Sequence, residues 1–222
     1  MARKKLRRFA ELETLSNVFR RERAVPCGAW ARQYFGNEHP LVLELGCGKG
    51  EYSIELARLQ PERNIVGIDR KGERIWVGAK LAIEKQLPNV AFLQINVEEL
   101  TQHFEPGQVE EIWIPFPDPL PKRKQAKHRL TSPQKLDLYR VILRDHGIIH
   151  LKTDDRGLFE YTLTVLRRKG VPILDARCDL YAGPGLPSVP DVRTTYERRH
   201  LAAGRLIKSV RFELAGGQDN DR

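Results

Sequence analysis

Glu44-Leu45-Gly46-Cys47-Gly48-Lys49-Gly50 places one carboxylate two residues ahead of three glycines spaced G-x-G-x-G. Glycine has no Cβ, so the backbone there can turn sharply at positive φ and a ligand can lie directly against it. The spacing is not the G-x-G-x-x-G that seats a pyrophosphate on a helix N-terminus. Glu44 would repel a pyrophosphate, but it suits a ligand carrying a cationic ammonium and hydroxyls, and S-adenosylmethionine is such a ligand. A glycine-rich β-α turn that binds nothing is the competing reading.

Further polar residues fall where an open α/β sheet gathers chemistry, at the ends of its strands. Asp69 ends the second apolar run after the glycine turn, the place where a two-acceptor carboxylate holds a ribose diol. It is equally placed to cap the next helix, and both roles are compatible. Asn96 ends the third run, where an amide can read an adenine edge or act as a helix cap. After the fourth run comes Pro115-Phe116-Pro117-Asp118-Pro119-Leu120-Pro121. Prolines on both sides exclude a helix and fix Asp118 in extended or turn geometry, although Asp-Pro is also ordinary turn chemistry. Lys122, Arg123, Lys124, Lys127, His128 and Arg129 follow with no acid among them. A charge run of this kind is often a solvated face, but its position beside the reaction crevice favours contact with phosphates.

The elements that must hold these residues read as follows. Leu41–Leu45 is a buried strand, and the helix from Glu51 to Leu59 is stopped by Pro61. Asn64–Ile68, Val90–Ile95 and Val109–Ile114 are the next three strands. Ile75, Trp76, Ala79, Ala82 and Ile83 share one helical face before Pro88. Thr131-Ser132-Pro133 opens a helix that carries Leu136, Tyr139 and Leu143 inward. Gly147–Thr153 is a fifth strand ending on Asp154-Asp155, followed by a helix patterned by Leu158, Phe159, Leu163 and Leu166. Ile173–Leu180 is a sixth strand, residues 181–193 are a long loop of the kind that often carries function, and a short helix starts at Thr194 and is bounded by Gly204. Ile207–Leu214 alternates as a half-buried last strand. The order predicts an α/β fold: a mostly parallel seven-stranded sheet with an antiparallel edge hairpin and helices on both faces. The expected organisation is a basic, disorder-prone arm over residues 1–30, one domain over 31–214, and a frayed tail over 215–222.

With 222 residues the chain can bury one full α/β core. A net charge of +9 points to an anionic partner, with nucleic acid the favoured class. Cys27, Cys47 and Cys178 are odd in number and far apart, so neither a disulfide framework nor a zinc site is expected, and the six histidines are scattered singly. No metal is predicted. The absence of a membrane-length apolar run, and of the apolar segment a signal peptide needs, gives the expectation of a cytoplasmic protein with no membrane partner.

The E-x-G-x-G-x-G pattern resembles the first motif of the Rossmann-like methyltransferases. Together with Phe116-Pro117-Asp118-Pro119, Pro121-Lys122, Lys152-Thr153-Asp154 and Thr194-x-Tyr196-Glu197, in this order, it resembles the tRNA (guanine-N7)-methyltransferase family over roughly residues 30 to 214. The resemblance implies a class I fold and methyl transfer from S-adenosylmethionine to N7 of a guanosine in the tRNA variable loop. It implies that Glu44, Asp69, Asn96 and Asp118 line the cofactor site with Gly46, Gly48 and Gly50, Asp118 being also catalytic. Lys122, Asp154, Thr194, Thr195, Tyr196 and Glu197 would hold the substrate, with Asp154 or Glu197 facing the guanine N1 and amino hydrogens. Lys124, Lys127, His128 and Arg129 would contact RNA. A monomer or homodimer is expected, with no obligatory protein partner. Two positions depart from the family pattern: Leu120 stands where many members have Trp, and His200 where an aromatic is common. The first bears on how the proline loop packs, the second on how the last helix docks. Two other readings remain at this stage. One is an adenine amino-methyltransferase, although Pro119-Leu120 lacks the aromatic on which a flipped base stacks. The other is a non-catalytic RNA-binding module on the same scaffold.

Overall fold

The computed structural model describes residue 8 and residues 10–20, 25–183 and 190–216. The expected tail beyond 216, residues 184–189 of the long loop, and residues 1–7, 9 and 21–24 of the basic arm lie outside them. The strands are β1 Val18–Arg20, β2 Leu41–Leu45, β3 Asn64–Ile68, β4 Val90–Gln94, β5 Val109–Pro115, β6 Leu143–Thr153, β7 Ile173–Arg177 and β8 Lys208–Leu214. The α-helices used below are α1 Glu51–Leu59, α2 Gly72–Glu84, α3 Pro133–Ile142, α4 Arg156–Arg168 and α5 Thr195–Ala202.

The strands form one sheet in the order β1-β4-β3-β2-β5-β6-β8-β7. All neighbours pair parallel except β8, which runs antiparallel to both β6 and β7. The sheet is therefore mixed and mostly parallel, and the expected antiparallel hairpin, β7 with β8, closes one edge, with β8 placed between β6 and β7. The eighth strand is one that the sequence pattern missed. Val18–Arg20 pairs with Phe92–Gln94 at the margin of the sheet, and Leu12, Val18, Phe19 and Val25 are buried. The described part of the segment expected to be an arm thus packs these side chains into the domain. Ahead of β2, a helical turn at Trp30–Phe35 places Trp30 in a stack on Phe104, with ring centroids 5.7 Å apart. Strand β6 begins at Leu143, four residues earlier than its apolar run, because Arg144-Asp145-His146 continue it as an exposed extension.

Alternation along β2 shows how both faces become core. Leu41, Leu43 and Leu45 join the cluster with Ile68, Tyr139 and Ile112, while Val42 joins the cluster with Ile54, Leu56, Ile75 and Phe92 beneath α1 and α2. Period-two side chains on a strand covered by helices on both faces give the continuous apolar runs seen in the sequence. The sheet order reverses between β2 and β5, so the crevice above that junction is the natural ligand site of the fold.

Candidate active site

The glycine turn is fixed by its own backbone. Gly46 and Cys47 N–H both donate to Ile68 O at the end of β3, at 2.8 and 2.9 Å, and Gly50 N–H donates to Cys47 O at 2.8 Å. Gly50 sits at φ +71° as the residue before α1, and a Cβ there would lie 2.5 Å from the Phe92 ring, so only glycine lets the turn close onto β4. Asp69 completes the turn from the next strand: its Oδ2 accepts Gly48 N–H at 2.9 Å and its Oδ1 accepts Lys71 N–H at 2.8 Å. That second contact closes a turn onto Lys71, the residue before the next helix, and is not the side-chain cap of that helix that was expected. Each oxygen keeps a further lone pair for a ligand hydroxyl.

Glu44 lies beneath the turn and not on the wall of the cavity described below. As the neighbour of Leu43 and Leu45 on an alternating strand it points beneath α1, 2% exposed, and its Oε2 accepts from Ser53 N–H at 2.7 Å and from Ser53 Oγ–H. Desolvation raises its pKa to about 8 against the lowering effect of those two hydrogen bonds. Its Oε1 accepts no hydrogen bond from the described residues.

A cavity of about 430 Å³ opens beside this turn. Gly46, Asp69, Asn96 and Asp118 share its lining, so four strand ends that are far apart in sequence meet there. Asn96 turns its Nδ2 to Glu99 Oε1 at 2.9 Å and does not cap the helical turn that follows it with its side chain. Three acids line the cavity, and their surroundings differ. Asp69 is held by backbone N–H groups, and Glu98 pairs with Lys135 of α3, which lowers the Glu98 pKa. Asp118 is exposed and has no hydrogen-bond or ion-pair partner among the described residues.

Two bulky residues at positive φ bracket Asp118: Phe116 at +51° and Leu120 at +46°. Such conformations cost energy for non-glycine residues and persist where the surroundings impose them. Here Phe116 N–H donates to Lys152 O at 2.8 Å, and Arg129 donates from Nε to Pro119 O at 3.1 Å and from Nη2 to Leu120 O at 3.1 Å. Arg129 is also laid over the Tyr161 ring at 4.2 Å. This corrects its expected place in an RNA-contacting run: its guanidinium supports the proline loop from behind. Lys122, Arg123, Lys124, Lys127 and His128 are exposed. None of the four Lys and Arg side chains has an ion pair among the described residues, and His128 lies on the cavity wall. Lys122 lies outside that wall.

Across the cleft, the residues of the Thr194–Glu197 segment divide between two duties. Thr194 accepts Glu197 N–H at 3.2 Å as the helix cap of α5, and Thr195 N–H donates to Glu51 Oε2 at 2.7 Å. Tyr196 is 48% exposed, its ring 5.1 Å from that of Phe116 and 4.1 Å from that of His200. Glu197, expected to face the substrate, is instead fully buried. Its carboxylate takes Lys152 Nζ at 2.7 and 2.8 Å and the Tyr181 hydroxyl at 2.6 Å. Burial lowers the Lys152 pKa, partly opposed by attraction to Glu197. The position 197 side chain points inward because it follows the helix turn toward β6, and its partner lies 45 residues away in the chain. Asp154 is half-enclosed by Arg205 at 3.0 Å, His200 at 3.2 Å and the Tyr196 hydroxyl at 3.4 Å. His200, the departure expected to bear on how this helix docks, packs its ring on Tyr196 and brings its Nδ1 near Asp154 without a hydrogen bond.

Glu51, Lys152, Tyr181 and Phe116 belong to this arrangement although none was singled out as a site residue. Lys152 had a signal, since it opens the Lys152-Thr153-Asp154 triplet. The role of Glu51 depends on a contact 144 residues away. Among the described residues no cluster of side chains could hold a metal ion, and no helix is long and apolar enough to cross a membrane.

A family model described as "Putative methyltransferase" matches residues 38–210. A protein of Christiangramia forsetii named tRNA (guanine-N(7)-)-methyltransferase is 44% identical over 221 residues, covering 96% of this chain and 99% of that protein. A protein of the same name from Cytophaga hutchinsonii is 42% identical with the same coverage. Among solved structures, the 16S rRNA methyltransferase KamB superposes with a TM-score of 0.66 at 19% identity, over 90% of this chain and 99% of that one. A 16S rRNA (adenine(1408)-N(1))-methyltransferase from Catenulisporales acidiphilia, solved with its cosubstrate SAM, gives a TM-score of 0.61 at 15% identity, over 87% of this chain and 92% of that one. At such identities the structural likeness shows the class I methyltransferase fold.

Proposed function

The chain belongs to the tRNA (guanine-N7)-methyltransferase family, and from that premise we propose that Asp118 is the catalytic carboxylate of a methyl transfer to guanine N7 in the tRNA variable loop. The methyl donor is S-adenosylmethionine. The surroundings of the cavity fit it: Asp69 has acceptors left for ribose hydroxyls, the glycine turn leaves room for a ligand against its backbone, and Glu44, beneath that turn and off the cavity wall, engages only its Oε2. When bound, the cofactor supplies an electrophilic methyl on a sulfonium.

Guanine N7 carries an in-plane lone pair and no proton, so the protein has no proton to remove there. Its tasks are to hold the base in line and to stabilise positive charge as it appears on the purine. Asp118 suits the second task. The observation that carries this reading is that Asp118 is the acid on the cavity wall that no described residue neutralises, while Asp69 and Glu98 are already engaged. The strained loop fixes the backbone that carries Asp118 before substrate arrives, and the rings of Phe116 and Tyr196 supply an apolar surface for a base beside it. Asp154 and the exposed Tyr196 are the substrate-side contacts in this reading. Thr194, Thr195 and Glu197 shape the helix that presents them. The exposed cations from Lys122 to His128 contact RNA phosphates. A cytoplasmic monomer or homodimer without an obligatory protein partner fits this role.

The test is incubation with labelled S-adenosylmethionine and unmodified tRNA, followed by digestion to nucleosides. The label should appear in 7-methylguanosine. Asp118→Ala should lower turnover by about 10³-fold, the scale of losing one preorganised electrostatic group at a transition state. Label in another nucleoside refutes the substrate assignment. Near-normal methylation by Asp118→Ala refutes the role of Asp118 alone.

A further inference from the structure

Helix α5 docks on the domain in an unusual way. A surface helix commonly buries an apolar stripe, but the one buried residue of α5 is Glu197. Polar contacts at its start, its middle and its end take the place of that stripe. At the middle, Glu197 meets Lys152 of β6. At the end, Tyr196, His200 and the following Arg205 converge on Asp154, just beyond β6. Both of these contacts tie α5 to the substrate side of the cleft.

The contact at the start has a different origin. Thr195 N–H is among the first N–H groups of a helix, which have no partner within the helix and favour a carboxylate both as acceptor and through the helix dipole. The carboxylate that meets it is Glu51, at 2.7 Å. Glu51 is the first residue of α1 and directly follows Gly50, so it belongs to the cofactor turn. That turn is fastened to the end of β3 by Gly48 N–H on Asp69 and by Gly46 and Cys47 N–H on Ile68 O. A continuous series of short contacts therefore runs from the ribose-side acid Asp69, through the glycine turn and Glu51, to the helix that carries Tyr196.

We propose that Glu51 is a positioning residue that docks α5 onto the cofactor turn and thereby couples cofactor binding to tRNA binding. The proposal rests on the tRNA assignment above. A ligand that stiffens the turn favours the docked position of α5, and tRNA held by docked α5 in turn favours the turn that holds the ligand. Linkage requires the two effects to be equal.

The experiment measures the tRNA dissociation constant at fixed salt with and without saturating S-adenosylhomocysteine, for the wild type, Glu51→Ala and Glu51→Gln. The wild type should bind tRNA about fivefold more tightly when S-adenosylhomocysteine is present, the lower end of ordinary coupling between sites. Glu51→Ala, measured at S-adenosylhomocysteine concentrations that saturate the variant, should bring that ratio to about one. Glu51→Gln, whose amide oxygen still accepts from Thr195, should keep most of the ratio. An unchanged ratio in Glu51→Ala overturns the proposal. So does a Glu51→Gln variant as uncoupled as the alanine. A wild-type ratio of one also overturns the coupling but leaves the tRNA assignment standing. Wild-type protein that binds no tRNA in either condition overturns the assignment, and the coupling with it.

Discussion

At the ends of β2 and β3 the chain is held by backbone hydrogen bonds, by one carboxylate that accepts backbone N–H groups and by apolar packing, whereas at the ends of β5 and β6 it is held by ion pairs, a guanidinium and non-glycine residues at positive φ. On the first side, Gly46, Cys47 and Gly48 donate to neighbouring strand ends, and the turn closes against Phe92. On the second side, Arg129 supports Pro119 and Leu120, Lys152 is buried against Glu197, and Asp154 gathers Arg205 and His200. The difference matches what each side would hold in the proposed function. A small cofactor of fixed shape suits a rigid backbone cradle. A base within a folded RNA needs polar groups that keep their geometry yet release and re-form contacts, and that arrangement carries a desolvation cost.

The contrast breaks most sharply at the buried pair. Glu197→Ala leaves the Lys152 ammonium buried without its counter-ion and should destabilise the protein by about 3–5 kcal/mol, the usual cost of orphaning one partner of a buried pair. The double substitution Glu197→Leu with Lys152→Met removes both charges and should recover most of that loss. Urea unfolding of the single and double variants measures both. A loss below about 1 kcal/mol for Glu197→Ala, the range of an exposed pair, would show that α5 is held by something other than this contact.

A smaller effect is expected at the exposed cations. Arg123, Lys124 and Lys127 have no protein partners among the described residues, unlike Arg129, so they are the ones free to meet phosphates. Replacing all three by Gln should reduce the slope of log affinity for tRNA against log salt by about 2, with the affinity for S-adenosylmethionine alone unchanged. Replacing Arg129 should act differently, lowering turnover through the proline loop more than it changes the salt slope. Equal slopes for the wild type and the triple variant would place the phosphate contacts elsewhere.

The two sides also differed in how far the sequence revealed them. The cofactor side is local: Leu41–Leu45, the three glycines and the helix to Pro61 lie within one β-α unit, and Asp69 and Asn96 stand at the ends of the next two apolar runs, so spacing alone located them. Strand β1 was hidden because three residues beside a run of arginines carry too little pattern to stand out. The polar start of β6 was hidden because Asp145 and His146 lack the apolar alternation that marks a strand. On the substrate side, Asp118 was legible from its prolines, but the duties of Arg129, Glu197 and Glu51 were not. Each depends on a turn of backbone or a partner remote in the chain, and a run of like charges does not reveal which member is used internally. Glu44 lies off the cavity wall for a different reason. Its position before the glycines marks a ligand group, while the parity of the strand sends its side chain under α1.

That displacement of Glu44 gives the mildest test, and its sign follows from burial. The folded-state pKa is raised to about 8 from the ordinary value of 4.5. The folded protein therefore keeps a proton that the unfolded chain releases at lower pH. Folding takes up that proton between about pH 4.5 and 8, so the Glu44 contribution to stability is fully present below this window, falls as pH rises through it, and is constant above. Gln at this position can still accept from Ser53 N–H but does not titrate. Unfolding free energies measured from pH 5 to 9 should decline more steeply for the wild type than for Glu44→Gln, with the gap widening up to about pH 8 and then holding. Parallel curves would mean that Glu44 is ionised throughout, stabilised by Ser53 and the α1 N-terminus against its desolvation. The acid beside the glycines would then be a fixed negative charge, and the cofactor side would share the electrostatic character of the side it faces.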